Sequence, residues 1–368
     1  MRRTSSHTSG YSLGMRGTGR SRRLLAPPRR HRPVIRPVLV LIALVALGLR
    51  LLTLGGSHAP TAAAAAPSAR PVAARPTPRA TPTIRPASTA SARPSPSASV
   101  RPLPPVKAVA FSSAWLRSHP IVQAPVINGR AAIVVDVSSG QILYAQNASA
   151  RYPEASLTKM MTAMVASDLV PLDQSVTVTP AAAQIEPTRM GISAGEQLTV
   201  RELLQGMLLD SGNDAAEALA QGIVSRDRFI AYLNERAAAM HLRDTSFHNP
   251  TGLDDPSQYS SAYDLAVMLG SILRDYPELR AIMGSRSIGI AATATHKAFM
   301  PLNLDRLLWT YPGTIAGKPG YTDAAGYCLA VAASRGGRTV LAVVLGSNQH
   351  FTDGTRLLDY GFAHPPIR

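Results

Sequence analysis

Between residues 1 and 107 this chain carries no Asp or Glu, and that feature confines any packed core to the remaining residues. The segment holds 18 of the chain's 38 Lys and Arg side chains, and outside one apolar run it is mostly Arg, Pro, Ala, Ser, Thr and Gly. Such a composition buries too little apolar surface to offset the entropy of ordering a chain. Residues 1–37 are read as a basic, disordered cytoplasmic tail. Residues 38–54, from Val38 to Leu54 with a break at Arg50, form an apolar run of about 17 residues, the lower edge of a membrane span. The arginines ahead of it place the tail on the cytoplasmic side. This predicts a single-pass anchor with everything downstream outside the cytoplasm. The alternative is a long signal peptide cut in Thr61–Ala66, which would release the protein. Residues 55–107 read as an extended Pro/Ala/Arg-rich linker, and 108–368 as the folded unit.

The formal net charge of +16 invites a nucleic-acid reading, and its distribution removes it. Residues 108–368 hold the other 20 basic side chains and all 22 acidic ones, about −2 in balance. A nucleic-acid surface belongs on the folded unit, so no nucleic-acid partner is expected. Cys328 is the only cysteine, which excludes an intrachain disulfide and a cysteine-ligated metal. No metal-ligand spacing or phosphate-loop context occurs, and no cofactor is expected. Only Lys107, Lys159, Lys297 and Lys318 are lysines, in a chain that otherwise uses Arg. A retained Lys hints that an amine able to lose its proton is wanted, which Arg cannot be.

Ala131–Val137 and Gln141–Ala145, joined at Ser138-Ser139-Gly140, read as a β-hairpin. Ser156–Val170 has helical apolar spacing. Thr199–Glu202 is a capping box opening a helix to about Leu209. Helical patterns follow at 213–222, 226–240 and 261–273. Strands are expected at Gly326–Ser334 and Thr339–Gly346, and a closing helix at Phe351–Phe362. Strands, then helices, then strands and a final helix predict an α+β fold: an antiparallel sheet flanked by helices, with an all-helical subdomain.

Three short constellations carry chemistry. In Ser156-Leu157-Thr158-Lys159 a hydroxyl and an amine share one helix face near its N-terminus. A Ser hydroxyl needs a neighbour to take its proton, and a Lys does so once burial and positive neighbours lower its pKa. The plainer alternative is a helix-capping Ser beside a solvated Lys. Ser211-Gly212-Asn213 read alone is a turn, with Gly ending one helix and Asn capping the next. Lys318-Pro319-Gly320 read alone is a strand entry. Their order and spacing together match the signature set of penicillin-binding proteins and serine β-lactamases.

The surrounding segments resemble more specifically the low-molecular-mass serine D-alanyl-D-alanine carboxypeptidases, peptidase family S11. Tyr152–Thr162 is similar to that family's P-A-S-x-T-K-(M/L)-M-T, and Leu208–Ala216 to S-(A/G)-N-D-A-A. Phe247–Leu253 is similar to F-x-N-P-x-G-L, Ser261–Ala266 to (S/T)-A-x-D-(L/M)-A, and Gly317–Leu329 to K-T-G-(Y/H)-T-x-x-A-G-x-C-L. The likeness runs over about residues 115–362. It implies the DD-peptidase/β-lactamase fold, with Ser156 the acylated nucleophile and Lys159 its base. Ser211 would relay a proton with Lys318, and Asn213 would bind the substrate backbone. Lys318, Gly320 and Thr322 would form the substrate-binding strand, with Lys318 and Thr322 facing the terminal carboxylate. The oxyanion would lie between the N–H groups of Ser156 and Thr322. The substrate implied is a peptidoglycan stem peptide ending in D-Ala-D-Ala, β-lactam antibiotics would acylate the same serine, and the enzyme would act as a monomer. Pro319 departs from the family's Thr and removes one hydroxyl and one N–H. Two alternatives stay open: a DD-endopeptidase using the same residues, and a weakly active or non-catalytic wall-binding relative because of Pro319.

Overall fold

The computed structural model describes residues 100–366, apart from 108 and 122. The hairpin forms as β1 (Ala131–Asp136) and β2 (Gln141–Gln146). With β5 (Thr314–Thr322), β6 (Gly326–Arg335) and β7 (Arg338–Ser347) it makes a five-stranded antiparallel sheet in the order β2-β1-β7-β6-β5. Every residue of β1 is buried because both faces of the sheet are covered. Successive side chains alternate between faces, so Ile133, Val135, Leu341 and Val343 join the large core shared with the helices. Val134, Val340, Ala342 and Leu329 face the closing helix, which runs His350–Ala363 and contributes Leu357 and Leu358.

The helical layer holds α1 (Ala114–Ser118), α2 (Lys159–Leu169), α3 (Pro180–Ala183), α4 (Val200–Leu209), α5 (Asn213–Ile223), α6 (Arg226–Ala239), α7 (Ala262–Asp275), α8 (Pro277–Gly284) and α9 (Leu307–Thr310), with the closing helix as α10. β3 (Ser175–Thr177) and β4 (Gln197–Thr199) form a separate two-stranded ribbon. Helix α2 is the hub: nine of its eleven residues are buried, Lys159 among them. The capping box at Thr199 and Glu202 is formed with both of its hydrogen bonds. Two boundaries differ from expectation. The helix expected from Ser156 begins as a 3₁₀ turn, Ala155–Thr158, before α2. Lys318–Gly320 does not precede a strand but lies inside β5, whose two glycines and proline give it a poor strand signature. β5 is an edge strand, the position where a Pro is tolerated.

Residues 100–107, assigned by composition to the linker, lie against the helices. Arg101 N donates to Leu169 O (2.9 Å), Arg236 Nη1 to Pro104 O (3.0 Å) and Arg274 Nη2 to Lys107 O (2.5 Å). The stretch 38–54, read as an anchor, lies outside the described residues; among those described, no helix is long and apolar enough to cross a membrane.

Arg236 is 2% exposed and also pairs with Asp168 of α2, so one guanidinium ties α6, α2 and the incoming segment together. Removing one partner of a buried pair strands the other charge. Arg236→Ala should therefore lower unfolding free energy by roughly 3–5 kcal/mol, read by urea titration; a loss under about 1 kcal/mol would show that this pair does not secure the segment.

Candidate active site

Ser156 sits on the 3₁₀ turn, immediately after Ala155, whose φ of +51° is left-handed backbone that a residue with a Cβ rarely adopts. Two glycines press against this turn. A Cβ on Gly252 would come within 1.9 Å of the Ala155 carbonyl oxygen, and one on Gly320 within 2.8 Å of Ser156 N. Gly320 is thus needed for the close approach of β5 to the Ser156 amide. Beneath the turn, Thr158 donates to buried Glu154 (2.6 Å), and Gln258 Nε2 donates to Thr158 Oγ1 (3.2 Å). Burial pushes the Glu154 carboxyl up to about 7. Gln258 Oε1 accepts from the backbone N–H groups of His248 and Asn249, and Asn249 Oδ1 from those of Thr251 and Gly252. The segment around His248 therefore shapes the wall behind the serine.

Lys159 has no solvent exposure. Its Nζ donates to Ser156 Oγ (2.9 Å), Asn213 Oδ1 (2.7 Å) and the Thr251 carbonyl (2.5 Å). Burial holds its pKa well below the ordinary lysine value, the charge of Lys318 lowers it further, and Asp214 partly opposes this. Asn213 opens α5, with its side chain accepting from Lys159 and donating to the Glu186 carbonyl (3.3 Å). Its amide oxygen is thus engaged inside the site, where the resemblance implied a contact to substrate backbone. Asp214, one residue on, accepts from the N–H groups of Met190, Gly191 and Ile192, fixing the loop that carries Pro187 and Thr188 over the cleft.

Ser211 adopts φ +61°, so the left-handed position in this turn is the serine and not Gly212, which caps α5. Gly212 is small for another reason: a Cβ there would lie 2.9 Å from Asp214 Oδ1 and from Met190 N. The Ser211 hydroxyl accepts from Lys318 Nζ (2.9 Å), which also donates to the Pro319 carbonyl (3.0 Å). Lys318 is fully buried, and burial pushes its pKa down to about 7 against the opposing pull of Asp305 and Asp210. Asp305 lies under the strand, its carboxyl pushed up to about 6 by burial.

The structure revises two expectations for β5. Pro319 pairs with Leu329 but has no N–H, so theirs is a non-hydrogen-bonded pair, and its carbonyl turns away from β6 to meet Lys318. By alternation, Tyr321 in the like pair with Tyr327 turns its N–H outward, while Thr322 turns its N–H toward β6. The amide aimed at the cleft beside Ser156 is therefore that of Tyr321, not Thr322. The Thr322 hydroxyl donates to Asp254 Oδ1 (2.5 Å), beside a carboxylate and away from the place expected for a terminal carboxylate. Cys328 is buried in β6, where burial raises its thiol to about 12.

Ser156 lies between two lobes of a cleft. The larger, about 630 Å³, is lined by Ser211, Pro319, Gly320, Tyr321, Tyr327, Arg306 and His350 among others. The smaller, about 240 Å³, is lined by Asn213, Thr251, Asp254, Thr322 and Asp323. Sequence reasoning missed Arg306, Tyr327 and Thr251, which lie outside the three constellations and reach the site only through the fold.

The chain matches the family profile described as D-alanyl-D-alanine carboxypeptidase over residues 119–349. It is 33% identical over 243 residues to D-alanyl-D-alanine carboxypeptidase DacF of Bacillus subtilis, covering 64% of this chain and 62% of that protein. It is 35% identical to DacB2 of Mycobacterium tuberculosis, covering 67% of this chain and 87% of that one. The chain thus spans under two thirds of the Bacillus relative. Among solved structures it is similar to the Streptomyces K15 DD-transpeptidase, with TM-score 0.63 and 30% identity, covering 66% of this chain and 100% of that one.

The burial of Lys318 has a measurable linkage. Its folded pKa of about 7 lies below the unfolded value of 10.5, so between those limits the unfolded chain binds more protons and stability rises with pH. Lys318→Met lacks this term. Relative to wild type, the variant's stability advantage should be largest at pH 7 and below and shrink by on the order of 3–5 kcal/mol as pH rises through that window. Urea titrations near pH 7 and pH 10 read it; a constant difference would mean the amine is not desolvated.

Proposed function

The chain belongs to the D-alanyl-D-alanine carboxypeptidase family, peptidase S11, and from that premise we propose that it is a serine hydrolase removing the terminal D-Ala from peptidoglycan stem peptides. The carrying observation is the 2.9 Å contact between Lys159 Nζ and Ser156 Oγ with the amine wholly buried. A neutral Lys159 takes the Ser156 proton as Oγ attacks the carbonyl carbon of the penultimate D-Ala. The oxyanion accepts from the N–H groups of Ser156 and Tyr321. Ser211, hydrogen-bonded to Lys318, passes a proton to the departing amine, and D-Ala leaves. Water then cleaves the acyl ester at Ser156 and restores the hydroxyl. A β-lactam enters by the same attack, its ring amide taking the place of the scissile bond. We place the domain outside the cytoplasm as a monomer, tethered by residues 38–54, or released if that stretch is cleaved.

Incubation with a fluorescent penicillin, and a D-Ala release assay on a peptide ending in D-Ala-D-Ala, test this reading. Wild type should be labelled and should release D-Ala; Ser156→Ala should do neither. A label that survives Ser156→Ala would overturn the nucleophile assignment, labelling without D-Ala release would favour the DD-endopeptidase, and no label on wild type would favour the non-catalytic wall-binding relative.

Pro319 leaves the cleft one hydroxyl short of the family pattern. A neutral hydrogen bond is worth about 0.5–1.5 kcal/mol net. Pro319→Thr should accordingly raise the penicillin acylation rate about two- to tenfold, measured by stopped-flow labelling. An unchanged rate would remove any role for that hydroxyl.

A further inference from the structure

The charges lining the cleft are divided across Ser156. The smaller lobe presents the exposed carboxylates of Asp254 and Asp323, and no cation is among its lining residues. The larger lobe presents one formally charged side chain among the described residues, Arg306, which is exposed. Its neighbour in that lobe, His350, is held neutral near pH 7, because burial and then the Arg306 charge push its pKa down to about 4. The Arg306 guanidinium lies 5.7 Å from the Phe351 ring centroid and has no carboxylate partner among the described residues. Phe351 is one end of an aromatic row through His350 and Tyr327 to Tyr321, with successive ring centroids 3.9, 4.8 and 4.5 Å apart. The guanidinium thus rests on a packed platform at the edge of the cleft.

The other groups expected to meet a terminal carboxylate are committed elsewhere. Lys318 is fully buried and donates to Ser211 and Pro319. Thr322 donates to Asp254 in the acidic lobe, and Pro319 has neither hydroxyl nor N–H. A substrate with a free C-terminus carries its negative charge on the leaving residue. The acidic lobe repels that charge and the Arg306 lobe attracts it. We propose that Arg306 is the specificity-determining residue that receives the terminal carboxylate, so that the leaving residue occupies the lobe lined by Ser211, Pro319 and Arg306. A guanidinium suits this task because it stays charged and offers paired donors to the two carboxylate oxygens. The inference rests on the hydrolytic reading above and adds to it the direction in which substrate lies and the residue that sets it.

The test compares two peptides of one sequence ending in D-Ala-D-Ala, one with a free carboxylate and one with a C-terminal amide. Wild type should favour the free acid by about tenfold or more in kcat/KM, the range expected of a charge-assisted contact. Arg306→Gln should remove most of that preference by raising KM for the acid, leaving the amide nearly unchanged, and Arg306→Lys should restore part of it. The proposal is overturned if wild type does not distinguish the peptides, or if Arg306→Gln slows both equally, as a purely structural role would. If wild type cleaves neither peptide, the hydrolytic reading itself falls, and this inference with it.

Discussion

One desolvated amine holds the site together. Lys159 Nζ is shared by Ser156, Asn213 and Thr251, the last two lying 54 and 92 positions away in sequence. Each acceptor is buried or nearly so, and a buried polar group left without a partner costs free energy comparable to a lost hydrogen bond. The 3₁₀ turn, the start of α5 and the loop before Gly252 are therefore positioned by the same atom. Lys159 can serve in this way because it begins α2, the helix around which the helical layer packs, and is fully buried there.

The second lysine lowers the proton affinity of the first. Burial and then the charge of Lys318 lower the proton affinity of Lys159, whereas burial alone lowers that of Lys318. Carboxylates near the lysines set the balance without bonding directly to them: Asp214 acts on Lys159, and Asp305 and Asp210 act on Lys318. Asp214 spends its oxygens on the backbone of the 190–192 loop, and one oxygen of Asp305 has no hydrogen-bond partner. Left-handed backbone at Ala155, immediately before Ser156, and at Ser211 adds strain where the two hydroxyls are presented to these amines. The large apolar core on one face of the sheet supplies the stability that such a site consumes.

Much of this was legible before the fold. Continuous apolar runs bounded by turn residues mark β1, β6 and β7, and the Thr199 capping box marks α4. The scarcity of lysine narrows attention to four residues, and Lys159 and Lys318 are the two that fall in the short constellations. β5 escaped because its composition is dictated by neighbours: Gly320 is small for the Ser156 amide, and Gly317 is small because Asp305 lies where its Cβ would be. The choice between Tyr321 and Thr322 escaped because sequence spacing does not set strand parity. Parity follows once Pro319 is placed opposite Leu329. Residues 100–107 read as linker by composition, yet Val100, Leu103 and Val106 pack against the core and backbone carbonyls of the segment are taken by Arg236 and Arg274, which composition cannot show.

Pro319 decides how this cleft can recognise an anion. At a non-hydrogen-bonded position of an edge strand, a proline forfeits no ladder bond, so the sheet tolerates it. What it removes is local: a hydroxyl and an N–H that would have faced substrate. Its carbonyl is already held by Lys318. Short-range, geometry-bound donors are thus thinned on this stretch of β5, and Tyr321 is left as the amide facing outward beside Ser156. Coulomb attraction decays slowly with distance and tolerates misalignment that a neutral hydrogen bond does not. A cleft built this way must discriminate more by the sign of the charge in each lobe than by hydroxyls along the strand. The opposed placement of Arg306 and the pair Asp254 and Asp323 on either side of Ser156 supplies that discrimination.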